Sequence, residues 1–172
     1  MSSRNSLGNV SLPLALRGVG KTERNKEGRK ILQAVGLGPR MNHTPSQMSG
    51  GQQQRVGIAR AFVAHPKIIF ADEPTGNIDP ELSFEIIDLL SAINEQAGTT
   101  IVMVTHEHEL VNYFSKRVIT IEDGMLISDS MGGSKTELFT GHELMEDYSR
   151  NLTSKQKAID FSDTTATGLM QD

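Results

Sequence analysis

Two apolar runs constrain this chain more than anything else in it. They are KIIFAD (residues 67–72) and TTIVMVT (residues 99–105). Both are short, rich in β-branched residues and without polar alternation, the pattern of buried strands in a parallel sheet. Between them, Asp79-Pro80 supplies an N-cap followed by proline at the first helical position. Leu82, Ile86, Leu89, Leu90 and Ile93 then recur at helical spacing, up to a stop at Gly98. Strand, helix, strand is the α/β arrangement. The predicted fold is therefore α/β, with helices flanking a parallel sheet whose strands are covered.

The remaining segments hang on that unit. NVSLPLALRG (residues 9–18), interrupted by Pro13, reads as extended or irregular. Thr22 is placed to cap a helix over residues 23–35, with Gly36 ending it. GLGPRMNHTP (residues 36–45) reads as a loop from its glycine and proline content. A second helix is expected to start at Ser49, where Ser49-x-x-Gln52 has the form of a capping box, and to stop at Pro66. KRVITIEDGMLISD (residues 116–129) alternates around Asp123-Gly124 and reads as a hairpin. Beyond about residue 130 the apolar periodicity fades, so that stretch reads as a weakly ordered tail with one short helix near residues 137–148.

Composition narrows the function classes. The chain has 172 residues, 37% hydrophobic and 22% charged, which fits a globular domain. A net charge of −4 with no basic run argues against general nucleic-acid binding. There is no cysteine, so disulfides and thiolate zinc sites are excluded. No run approaches the roughly 18 apolar residues of a membrane span, so a membrane link is expected to come through a partner.

Three motifs carry chemistry. In MSGGQQQRVGIARAF (residues 48–62), Ser49, Gly50, Gly51 and Gln52 stand at a helix start. Glycines allow close approach to backbone N–H groups, and the helix N-terminus adds partial positive charge, so the group suits a phosphate. The plainer reading is a capped amphipathic helix. In ADEPTGNIDP (residues 71–80), Asp72 and Glu73 end a strand, where open α/β sheets bind ligands. Asp72 suits Mg²⁺ through water, and Glu73 suits a general base for an attacking water. The plainer reading there is a solvated strand end. In THEHEL (residues 105–110), a zinc-protease helix would need H-E-x-x-H. Four residues after His106 stands Leu110, so that reading fails.

Together these motifs resemble the ABC ATPases. Residues 48–62 are similar to the family's signature sequence, IIFADE to its Walker B strand with the catalytic glutamate, and GNID to its D-loop. His106 resembles the switch histidine of the H-loop, which contacts the γ-phosphate. The resemblance implies a partial P-loop NTPase domain with ATP and Mg²⁺ as cofactors. It implies catalytic roles for Glu73 and His106, Mg²⁺ contact through Asp72, and an intersubunit role for Asp79, which also suits a helix cap. It implies that Ser49, Gly50, Gly51 and Gln52 contact a nucleotide held by a second domain, in a homo- or heterodimer of ATPase domains. A transmembrane permease or FtsX-like subunit would be the partner, on the cytoplasmic face of the cell membrane. Residues 1–48 would be part of the helical subdomain, residues 49–130 the ATPase core and residues 131–172 the tail. ADEPTGNID looks like the group of the cell-division ATPase FtsE, the lipoprotein-release ATPase LolD and the macrolide exporter MacB. Residues 105–129 look most like FtsE. SSRNSLGNVSLPL also resembles methionine-importer ATPases.

RGVGKTE (residues 17–23) tests that resemblance. A P-loop reads G-x-x-x-x-G-K-[ST], but Ala15 stands where its first glycine belongs, and no clean strand precedes it. The segment instead resembles the helical subdomain beyond the Q-loop. The family's Walker A loop and Q-loop glutamine are then missing from these residues. The expectation is an N-terminally truncated ATPase, inactive alone. The alternatives are a non-enzymatic remnant or a partner supplying the signature half-site in trans. An SMC-like DNA-associated ATPase is disfavoured by the signature continuation and the absence of heptads.

Overall fold

A computed structural model of the chain describes residues 4–76 and 78–131. The proposed tail helix and Asn77 of the GNID stretch lie outside the described residues. One compact unit reaches Val104, and a second begins at Thr105.

The first unit opens with helices. α1 (Ser6–Val10) and α2 (Leu12–Leu16) occupy the segment expected to be extended. Two local features explain the correction. The Asn5 side chain caps α1 by accepting the Gly8 N–H at 2.9 Å. Pro13 falls in the first turn of α2, where a missing N–H costs no intrahelical bond. Packing does the rest, because Leu7, Val10 and Leu14 are all buried. The start of α1 is also pinned to a distant loop, with the Ser6 and Leu7 N–H groups donating to the His43 and Met41 carbonyls.

α3 (Lys21–Ala34) starts two residues before the expected position, with Gly20 rather than Thr22 as its N-cap. What precedes it is α2, not a strand, so the setting of RGVGKTE is not that of a P-loop. The loop after α3 contains two 3₁₀ turns, Gly38–Arg40 and Pro45–Gln47. α4 (Gly50–Phe62) packs against α1 and α3. Val10, Ile31, Leu32, Val35, Ala59, Phe62 and Val63 form the core of this helical part. Gly28 on α3 lets α1 approach closely: a Cβ there would stand 3.0 Å from Leu7 Cδ1.

β1 (Ile68–Asp72) and β2 (Thr100–Val104) pair in parallel, from Ile68↔Thr100 to Asp72↔Val104. α5 (Pro80–Ala97) is the crossover, and it packs on β2 and α4. Its end is set by Gly98 at φ +65, a left-handed position that glycine occupies at little cost. The parallel pairing matches the expectation, but the expected burial does not. Ile69 is buried, whereas Ile68, Phe70, Val102 and Val104 are exposed. Side chains alternate across a strand, so these four share the opposite face. Among the described residues nothing covers that face.

The second unit holds α6 (His108–Phe114) and the hairpin β3 (Arg117–Glu122) and β4 (Met125–Met131). The predicted Asp123-Gly124 turn is present, with φ of +47 and +76. Positive φ at both residues is the type I′ geometry whose twist matches the flanking strands. Arg117 forms a bidentate pair with Asp129 across the ladder, and the register shifts between Thr120 and Ile121.

Candidate functional site

The start of α4 is built as the sequence suggested. Ser49 Oγ accepts the Gln52 N–H at 3.3 Å, and Gln52 Oε1 accepts the Ser49 N–H at 3.2 Å. This capping box satisfies two backbone donors of the first turn. The N–H groups of Gly50 and Gly51 lie in the same turn, where no helical carbonyl reaches them. Ser49 and Gly50 are exposed, and no acidic side chain occupies the first turn. That chemistry fits an anion.

The two glycines have different surroundings. Gly50 is exposed and Gly51 buried. A Cβ on Gly51 would stand 3.0 Å from Leu82 Cδ1. Gly51 is therefore required, at least in part, by the packing of α4 against α5. The sequence reading explained it by phosphate approach alone.

At the end of β1, Asp72 is exposed and Glu73 half-buried. Glu73 leaves the strand at φ +44, an uncommon conformation for a residue with a Cβ. Its N–H donates to the Val104 carbonyl, and its own carbonyl accepts the Gly76 N–H, both at 3.0 Å. The Ile78 N–H bonds the Thr75 carbonyl at 3.3 Å. Asp79 Oδ1 then accepts the Leu82 N–H at 3.0 Å, the cap expected of it. No group of three or more His, Asp or Glu side chains fit to hold a metal occurs among the described residues. A single carboxylate such as that of Asp72 would hold a magnesium ion only if water and phosphate supplied most of its other ligands.

Side chains of α4 reach both α5 and the Glu73 loop. Gln54 Nε2 donates to the Pro74 carbonyl at 2.6 Å. Arg55 forms an ion pair with Glu85 of α5 and donates to the Val35 carbonyl at 3.3 Å. One turn on, burial pushes the Asp88 carboxyl above its ordinary range, and the charge of Glu85 adds to the effect.

Sequence reasoning gave Gln54 and Arg55 no role, although a signal was present. Gly51, Gln54, Arg55, Ile58, Ala59 and Phe62 follow i, i+3, i+4, i+7, i+8 and i+11 spacing. Polar residues on an otherwise apolar stripe require partners.

His106 belongs to the second unit, where it is exposed between β2 and α6. The next residue, Glu107, is the N-cap of α6, and its N–H donates to Thr105 Oγ1 at 3.1 Å. Leu110 is the buried residue of that helix.

Residues 3–76 match the family described as ABC transporter. An uncharacterised ABC transporter ATP-binding protein of Methanocaldococcus jannaschii is 52% identical over 122 residues, covering 71% of this chain and 54% of that protein. Its sequence is similar to ABC transporter ATP-binding proteins over most of its length. The methionine import ATP-binding protein MetN of Bartonella henselae is 41% identical over 140 residues, covering 81% of this chain and 40% of that one. The macrolide export ATP-binding/permease protein MacB of Chlorobium luteolum is 45% identical over 152 residues, covering 84% and 22%. A solved dimer, the ATP-binding cassette MJ0796 in a post-hydrolysis state with ADP and Pi, superposes with a TM-score of 0.66 at 38% identity, covering 76% of this chain and 58% of that one. The fold thus corresponds to part of an ABC ATPase cassette, a P-loop NTPase in class. The chain spans about half the length of the first curated relative.

Proposed function

We propose that this chain acts in an ABC transporter-type assembly, contributing to ATP binding and hydrolysis that drive a membrane partner. The observation that carries the reading lies within one unit. The open, serine-capped start of α4 is tied to the loop that follows the carboxylates at the end of a parallel strand. Ser49 and Gly50 are exposed, the buried Gly51 follows them in the same first turn, and Gln52 braces that turn. They would hold the phosphates of a nucleotide bound by a second ATPase domain. Glu73 would accept a proton from the attacking water, a role worth about 10²–10⁴ in rate. Asp72 would hold Mg²⁺ through water, His106 would orient the attacking water, and Asp79 would cap α5 while facing the second domain. ATP supplies the transferable phosphoryl group, and Mg²⁺ neutralises its charge.

Within the family, ADEPTGNID and residues 105–129 favour the FtsE, LolD and MacB group, with an FtsX-like or exporter-type membrane partner. The similarity to MetN favours a second reading, in which the partner is an importer permease. The direction of transport separates the two.

A trans-complementation assay tests the shared core of both readings. An intact ABC ATPase subunit whose own signature serine is replaced by arginine is mixed with this chain and Mg-ATP. The expected result is restored phosphate release with the unmodified chain and none with Ser49→Arg. Equal release with both, or no release with either, overturns the proposal.

A further inference from the structure

Glu73 at φ +44 occupies a conformation that persists only where its surroundings over-determine it. Its N–H is held by β2 through the Val104 carbonyl, and its carbonyl by the turn through the Gly76 N–H. The next residue, Pro74, is buried and has no N–H, so its carbonyl is its only hydrogen-bonding group. The donor to that carbonyl is Gln54 of α4, at 2.6 Å. Gln54 stands on the same helical stripe as Gly51, which packs on Leu82, and beside Arg55, which pairs with Glu85. The start of α4, the Glu73 loop and the first turns of α5 therefore form one braced frame. The Gln54 amide is the brace that reaches the loop itself.

We propose that Gln54 is a positioning residue that locks the Glu73 loop to the helix start bearing Ser49. Displacement of that helix start by a bound nucleotide then moves the Glu73 loop with it. The inference rests on the reading of Ser49 and Glu73 given above, and it adds a coupling between them.

The test uses the full 172-residue chain and hydrogen–deuterium exchange read at single amides. Gln54→Met keeps the length of the side chain and removes the donor. The expected result is exchange roughly two- to tenfold faster at the Glu73 and Gly76 amides, the range set by one net hydrogen bond. Amides in the middle of α3 and α5 keep their rates. Gln54→Lys, which retains a donor of similar reach, restores slow exchange at the loop. Unchanged exchange at Glu73 and Gly76 in Gln54→Met overturns the proposal. Equal acceleration throughout α3, α4 and α5 overturns it as well, because it marks general loosening. Should Gln54→Met not fold, Gln54→Glu, polar but without the amide donor, is read in the same way.

The complementation assay keeps the two claims separate. A chain with the tether effect but no complementation removes the functional reading and leaves the tether. A chain that complements while its loop exchange ignores Gln54→Met removes the tether alone.

Discussion

Phe62 in α4 is 1% exposed, and Phe70 in β1 is 79% exposed. Both belong to the same compact unit and both sit in strongly apolar segments. The helical part around Phe62 encloses its own core, because α1, α3 and α4 each present an apolar stripe to the others. The strand pair has apolar side chains on both faces and a covering helix that packs on one. A two-stranded sheet with such a pattern needs a further layer to hide its second face. The difference teaches that apolar content marks what is suited to burial, whereas the neighbours available decide what is buried.

The sharpest way to break that comparison is to truncate both rings. Phe62→Ala should cost about 3–5 kcal/mol, as expected for a buried aromatic. Phe70→Ala should change stability by less than about 1 kcal/mol and reduce self-association through the open face. Denaturant unfolding measures the first pair of numbers, and sedimentation velocity the association. A Phe70→Ala cost like that of Phe62→Ala would show that the open face is covered in solution.

A smaller effect compares the helix starts at the two ends of the braced frame. Ser49→Ala and Asp79→Ala each remove a side-chain cap, and each should cost about 1 kcal/mol. If Ser49→Ala is silent in thermal melts, the cap of α4 contributes nothing to folding. The serine would then serve a ligand alone.

The smallest expected effect concerns α5, which touches both regions. Asp88 has its carboxyl pushed up by burial and by Glu85. A raised carboxyl favours the protonated form in the fold. Its favourable contribution is therefore full below the ordinary value of 3.8 and is lost as pH rises through the folded value. Asp88→Asn should raise the melting temperature at pH 7 and leave it unchanged near pH 3. A gain of equal size at both pH values would place its cause in packing rather than charge.

Local signals were read well where they were self-contained. The Ser49–Gln52 box, the Asp79-Pro80 start, the Gly98 stop and the Asp123-Gly124 turn each depend on a few adjacent residues, and each is present. The stretch around Pro13 was misread because packing against α3 and α4 outweighed a local breaker that was harmless in a first turn. Glu73 was recognised by its place after the strand, but its left-handed backbone and the Gln54 tether were not. Both depend on residues distant in sequence.

The sequence by itself determined the parallel strand–helix–strand unit, the helix caps and the chemical identity of the candidate groups. These follow from periodicity, capping and side-chain chemistry, which act over a turn or two of chain. Only the tertiary structure decided that Gly51 is a packing residue, that Gln54 holds the Glu73 loop, and which face of the sheet the described residues leave uncovered. Those are matters of which surfaces meet, and distant contacts leave no local pattern beyond a polar residue on an apolar stripe.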